Sequence, residues 1–139
     1  MNKFNQFSKI NSLGKPAKLL LFLDAETAEF EQNYRKSILD SATAVEVCFS
    51  QLIGKILSEE TKLSKYLSSK HNTLRLKREL LKVLEVTLPY TENEYTNNLD
   101  SVRNRVIHGG YIPSLTEVKK ALEIANNTLY SLLPKKYEI

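Results

Sequence analysis

Between Asp100 and Tyr111 the chain reads Asp-Ser-Val-Arg-Asn-Arg-Val-Ile-His-Gly-Gly-Tyr, and three of these side chains can act together on an anionic group. Asn104 and His108 are four residues apart, so on a helix they share one face. Arg103 precedes His108 by five residues and starts about 140° round the helix from it, a gap that a curling guanidinium can close. Histidine is the side chain that changes charge near neutral pH, which is what proton transfer needs. At a helix C-terminus the dipole favours the protonated ring, while neighbouring arginines oppose it. The same residue types also make a plain cap, because cations are favourable beside the last carbonyls of a helix. On spacing alone both readings stand.

A helix has to present that string, and its limits are written on both sides. Thr91-Glu92-Asn93-Glu94 has the spacing of a capping box, which predicts a helix from Glu92. Tyr95, Leu99, Val102, Val106 and Ile107 supply its apolar face, so Val106 and Ile107 are expected to face the core. Gly109-Gly110 predicts its stop, since glycine accepts the left-handed conformation that closes many helices. Ser114-Leu115-Thr116-Glu117 is a second capping box after Pro113. It opens a last helix with Leu115, Val118, Ala121, Leu122, Ile124, Ala125, Leu129 and Leu132 as its stripe and Pro134 as its end.

Upstream, Phe30, Tyr34, Ile38, Ala42, Val45, Phe49, Leu52, Ile53, Ile56 and Leu57 read as one apolar stripe running from about Thr27. Ser58 to His71 is more polar and reads as a helix end plus connection, with His71 on the surface. Leu76, Leu80, Val83, Leu84 and Leu88 form another stripe, with Leu74 leading in and Pro89 as its stop. Residues 1–23 read as a polar arm and a short lead-in helix opened by Pro16, and residues 24–139 as the helical domain. The expected fold is all-α, an up-and-down bundle of four to five helices. Four Gly and four Pro in 139 residues agree with long helices.

Composition excludes several classes. Hydrophobic residues are 42% of the chain, enough for a core, so disorder over most of the length is excluded. The run Leu19-Leu20-Leu21-Phe22-Leu23 is too short to span a bilayer and reads as core, so no membrane partner is expected. The net charge of +4 permits an anionic partner without demanding one. Cys48 is the single cysteine, so no internal disulfide forms and the cytoplasm is the expected compartment. Its apolar surroundings make it a small buried hydrophobe. One Cys and two His give no zinc cluster, and there is no Gly-rich phosphate loop, so neither metal nor cofactor is expected.

Arg103-Asn104-x-x-x-His108, near the start of the final helical hairpin, resembles the motif of the HEPN (higher eukaryotes and prokaryotes nucleotide-binding) domains. That pattern is Arg, four to six residues, then His, with a polar residue often directly after the Arg. The helix Tyr34–Val47, with small residues leading to Glu46, is similar to another family helix. The resemblance covers roughly residues 24–133. It implies a metal-independent endoribonuclease, acting as a homodimer in which two motifs meet in one basic cleft. It further implies a bacterial defence, toxin–antitoxin or RNA-processing setting, in which an antitoxin or regulatory domain is a possible partner. Carried over, His108 is the general acid or base, Arg103 binds the scissile phosphate, and Asn104 orients the phosphate or His108. Glu46 is a supporting polar residue by the same resemblance. Arg105 is open between a phosphate contact and a surface charge, and Tyr111 between base stacking and closing the core. Two other readings accompany the enzyme: a non-catalytic HEPN-like module binding RNA, a nucleotide or a protein, and a plain helical dimerisation domain.

Overall fold

The computed structural model describes residues 17–58 and 61–132, and within them the fold is an all-α bundle without strands. Its elements are α1 (Ala17–Phe30), α2 (Tyr34–Leu57), α3 (Lys62–Lys70), α4 (Leu74–Val83), α5 (Glu92–Tyr95), a π-helical turn (Thr96–Asp100), α6 (Ser101–Gly109) and α7 (Leu115–Leu132). The polar arm, Pro16 and Pro134 lie outside the described residues. Helix α1 crosses residue 23 without a break.

Helix α2 is the centre, and its sequence explains why. Ile38, Ala42, Val45, Phe49 and Ile53 form one buried stripe, joined in the core by Leu81, Tyr95, Leu99, Val102, Val106 and Val118. Ser37, Ser41, Ala44 and Cys48 form a second buried stripe on an adjoining face. These small side chains let α1 approach closely, and the Ser37 hydroxyl donates to the Ala25 carbonyl at 2.8 Å. The stripe of small residues before Glu46 is therefore a packing surface. Burial pushes the Cys48 thiol up from its ordinary pKa, which keeps it a protonated core group.

Three expectations are corrected. The apolar pattern from Phe30 to Leu57 is two helices, because Gln32 takes φ 61° and Asn33 caps a new helix by accepting from the Lys36 amide. Phe30, left at the end of α1, is 86% exposed. The connection read across Ser58 to His71 contains α3, started by Thr61 accepting from the Ser64 amide. His71 caps that helix, its Nδ1 lying 2.6 Å from the Leu67 carbonyl, and is half-buried. Helix α4 ends at Val83, ahead of Pro89, because Glu85 turns left-handed at φ 64°. Its buried side is Leu74, Lys77, Arg78, Leu80 and Leu81, while Val83 faces solvent.

Among the described residues, Arg78 is the most deeply buried cation. Its Nε and Nη2 donate to Glu92 at 3.0 and 2.8 Å, and its Nη1 and Nη2 donate to Asp100 at 3.1 and 2.6 Å. The guanidinium also lies 5.0 Å from the Tyr95 ring centroid, a cation–π distance. In an unbroken α-helix, residues eight apart sit about 80° out of line. The π-turn absorbs one extra residue and so takes Asp100 back by roughly 100°, which brings it to within about 20° of Glu92. Both carboxylates thus meet one guanidinium. Burial alone would lower the Arg78 pKa, but the hydrogen bonds to both carboxylates outweigh it and hold the side chain firmly cationic. Tyr95 is buried beneath, its hydroxyl 2.8 Å from Thr128 Oγ1, and burial pushes its pKa up to about 12.

Removing one side of a buried ion cluster strands the other, at a cost of about 3–5 kcal/mol. Arg78→Ala should lose that much in urea unfolding, and Arg78→Met, which refills the space but strands the same carboxylates, should recover only the packing part of the loss. A loss below about 1 kcal/mol for Arg78→Ala would mean that the cluster does not anchor α5, the π-turn and α6. The Arg78 hydrogen bond also holds the Glu92 carboxyl below its ordinary 4.5. A depressed carboxylate stabilises above its unfolded pKa and loses that contribution as pH falls through the folded value. The melting temperature should therefore drop as pH falls below 4.5, and the drop should be shallower in Arg78→Met.

Candidate functional site

The rod from Glu92 to Gly109 presents the Arg-Asn-x-x-x-His string at its free end. Its Thr91 capping box is formed in full: the Thr91 hydroxyl accepts from the Glu94 amide, and Glu94 accepts from the Thr91 amide. Tyr95, Leu99, Val102 and Val106 are buried, which fixes the rotation of the rod. With about 100° per residue, burial of Val102 and Val106 sends Arg103 and Arg105 to opposite flanks and leaves Asn104 and His108 pointing outward. Ile107 is 47% exposed, so the expectation that it faces the core is corrected: it sits about 100° from Val106 and shares the outer side with Asn104 and His108.

Arg103 turns toward α2 and α4. Its Nη2 lies 3.9 Å from Glu46 Oε2, and Lys77 Nζ lies 3.5 Å from Glu46 Oε1. Glu46 is thus held between two cations and steers the Arg103 side chain without burying it. Lys77 is not legible as a site residue in the sequence, because the apolar stripe around it reads through Leu76 and Val83. Arg105 turns the other way. It pairs with Glu117 at 2.9 Å and stacks on Tyr111 with 4.4 Å to the ring centroid. Tyr111 donates its hydroxyl to Glu117, and the Ser114 amide donates to the same carboxylate at 3.0 Å. Burial alone would raise the Glu117 pKa, but these donors and Arg105 bring it below its ordinary value. Arg105 and Tyr111 are therefore joined to the start of α7 and stand apart from Arg103.

The end of α6 is closed by groups outside the string. The amides of Gly110 and Tyr111 donate to the Arg105 carbonyl. Arg35, on α2, reaches the Val106 carbonyl at 3.4 Å. Gly110 takes φ 63°, the left-handed value that the sequence predicts for the stop. Among the described residues, no hydrogen bond or ion pair engages the side chains of Asn104 or His108, and both are exposed. The capping that a plain helix end would ask of His108 is thus supplied by Arg35 and two backbone amides.

Beside Arg103 and Asn104 a groove of 310 Å³ runs to the start of α4, lined also by Thr73, Arg75, Thr96, Asp100 and Ser101. His108 lies one turn beyond it, next to Gly109 and Gly110, where nothing approaches within 4 Å of an added Cβ. Among the described residues, no group of three or more His, Cys, Asp or Glu is arranged to hold a metal ion. None of the described helices is long and apolar enough to cross a membrane.

Comparison with protein-family models, with curated proteins and with solved structures finds no match to this chain.

The two glycines separate under substitution. Gly109 lies inside the helix with open space around it, so Gly109→Ala should stabilise by about 0.5–1 kcal/mol. Gly110→Ala forces a side chain into the left-handed region and should cost about 1–2 kcal/mol. Urea unfolding of both variants checks this; equal signs would contradict the left-handed closure at Gly110.

Proposed function

We propose that this chain is a HEPN-type, metal-independent endoribonuclease whose reacting groups are Arg103, Asn104 and His108. One observation carries the reading. The Arg105 and Val106 carbonyls are satisfied by Gly110, Tyr111 and Arg35, so the string is not consumed in ending its own helix. A polar trio at the mouth of an anchored helix, with the amide and imidazole unpaired among the described residues, suits a ligand that brings its own oxygens.

In the proposed reaction the ribose 2′-oxygen attacks the adjacent phosphorus and gives up its proton to a His108 imidazole. The bond from phosphorus to the 5′-oxygen breaks, and that oxygen takes a proton as it leaves. The products are a 2′,3′-cyclic phosphate and a 5′-hydroxyl. Arg103 neutralises charge that builds on the phosphate oxygens, where a placed donor is worth most. Asn104, four residues before His108, orients the phosphate or the ring. Glu46 is a positioning residue, acting through Arg103 at 3.9 Å.

A second copy of the chain fits this scheme, since one histidine takes a proton and another gives one. Ile107, Ile112 and Leu115 are exposed at 47%, 72% and 42% in and just after the string, apolar surface of the kind that a partner covers. The setting proposed is bacterial defence, toxin–antitoxin control or RNA processing, with a regulatory partner able to reach the same open helix end.

Cleavage of a mixed-sequence RNA in EDTA by wild type, Arg103→Ala and His108→Ala tests the reading. Wild type should cut, and each variant should lose at least about a hundredfold in rate, the scale of a general acid–base or charge-stabilising group. RNA binding without cutting by wild type would replace the enzyme with a binding module. Cutting that both variants retain would remove the string from the chemistry.

A further inference from the structure

The groove beside Arg103 has a composition that the reacting trio does not account for. Of its ionic groups, Asp100 is spent on Arg78, with contacts at 3.1 and 2.6 Å. Among the described residues Arg75 forms an ion pair with Glu79 alone, at 4.0 Å, and feels the charge of Glu92 at longer range; the Arg75 and Glu79 side chains are more than half exposed, so that pairing is worth little. Arg103 meets Glu46 at 3.9 Å. Of the hydroxyls, Thr73 is used to cap α4 by accepting from the Leu76 amide. The side chains of Thr96, Ser101 and Asn104 make no hydrogen bond among the described residues. Two loosely held guanidiniums thus share one 310 Å³ groove with two hydroxyls and an amide that bind nothing among the described residues.

The π-turn produces this arrangement. The Ser101 amide donates to the Thr96 carbonyl, five residues back, so the extra residue of that turn brings Thr96 and Ser101 to the same groove wall. Arg75 faces them from the first turn of α4. A ligand suited to this lining carries negative charge and several acceptor oxygens. Because Arg103 and Asn104 also line the groove, its occupant is continuous with whatever lies at the reacting trio.

We propose that this groove is a subsite for the RNA backbone, holding a phosphate next to the one that is cut, with Arg75 as its charged contact and Thr96 and Ser101 as its hydroxyl contacts. The inference rests on the ribonuclease reading and extends it to residues outside the Arg-Asn-x-x-x-His string. It makes Arg75 a residue for holding substrate, without a part in proton transfer.

The test is binding of a fluorescein-labelled single-stranded RNA to His108→Ala, which leaves the groove intact, followed across salt concentrations. Adding Arg75→Ala should weaken binding about three- to tenfold. It should also lower the slope of log affinity against log salt by about 0.7, the value for one lost phosphate contact on a single strand. Adding Arg75→Lys in place of Arg75→Ala should keep most of that slope. Arg75 is exposed, so the melting temperature of Arg75→Ala should stay near that of its parent. RNA binding with the affinity within twofold and the slope unchanged in Arg75→Ala would overturn the subsite and leave the trio standing. Failure of His108→Ala and wild type alike to bind RNA would overturn the subsite together with the reading beneath it.

Discussion

A guanidinium taken almost wholly out of water, and two carboxylates that must meet it, set the geometry of this protein. Arg78 costs solvation that only near-complete pairing offsets, so Glu92 and Asp100 must both reach it. They sit eight residues apart on one helix, out of line for an ordinary α-helix. The π-turn from Thr96 to Asp100 resolves that mismatch and appears where the ion cluster needs it. The turn in turn fixes the helix beyond it. Asp100 is three residues before Arg103, so the cluster that anchors the rod also sets the angle at which the Arg-Asn-x-x-x-His string leaves the bundle.

The second constraint is rotational. Val102 and Val106 are buried, and every other direction on α6 is set by them. Arg103 is sent toward Glu46 and Lys77, Arg105 toward Glu117 and Tyr111, and Asn104, Ile107 and His108 outward. Two arginines separated by one residue therefore serve different ends. One is held loosely at the edge of an open groove; the other ties the helix end to α7 through a carboxylate that already caps that helix. Arg35 completes the division by taking the Val106 carbonyl, which leaves the histidine without a capping duty.

Much of this is legible in the sequence because it is local. The capping boxes at Thr91 and Ser114, the glycine stop and the stripe from Tyr95 to Val106 depend on spacing within a turn or two, and each forms as read. The features that escape are decided by tertiary pairing. Arg78 reads as one more polar residue of an amphipathic helix, and nothing in its neighbourhood announces partners 14 and 22 residues away. The break at Gln32 and Asn33 hides inside an apolar pattern that continues across it. Glu46 is reached in the sequence only through resemblance; the small residues before it serve packing against α1, and its link to Arg103 is a contact between separate helices. Ile107 escapes for a simpler reason: on a helix buried along one narrow seam, a residue beside a core valine already faces out.

In the proposed reaction, the helix end carrying Arg103, Asn104 and His108 cuts RNA with the substrate's own 2′-hydroxyl. The most direct measurement is a pair of labelled oligoribonucleotides, identical except for a single 2′-deoxy substitution on the 5′ side of the preferred cleavage position, incubated with the protein in EDTA. The all-ribose strand should be cut to a 2′,3′-cyclic phosphate and a 5′-hydroxyl, and the substituted strand should stay whole at that position. Equal cutting of both strands, or products ending in a 5′-phosphate, would contradict the proposal.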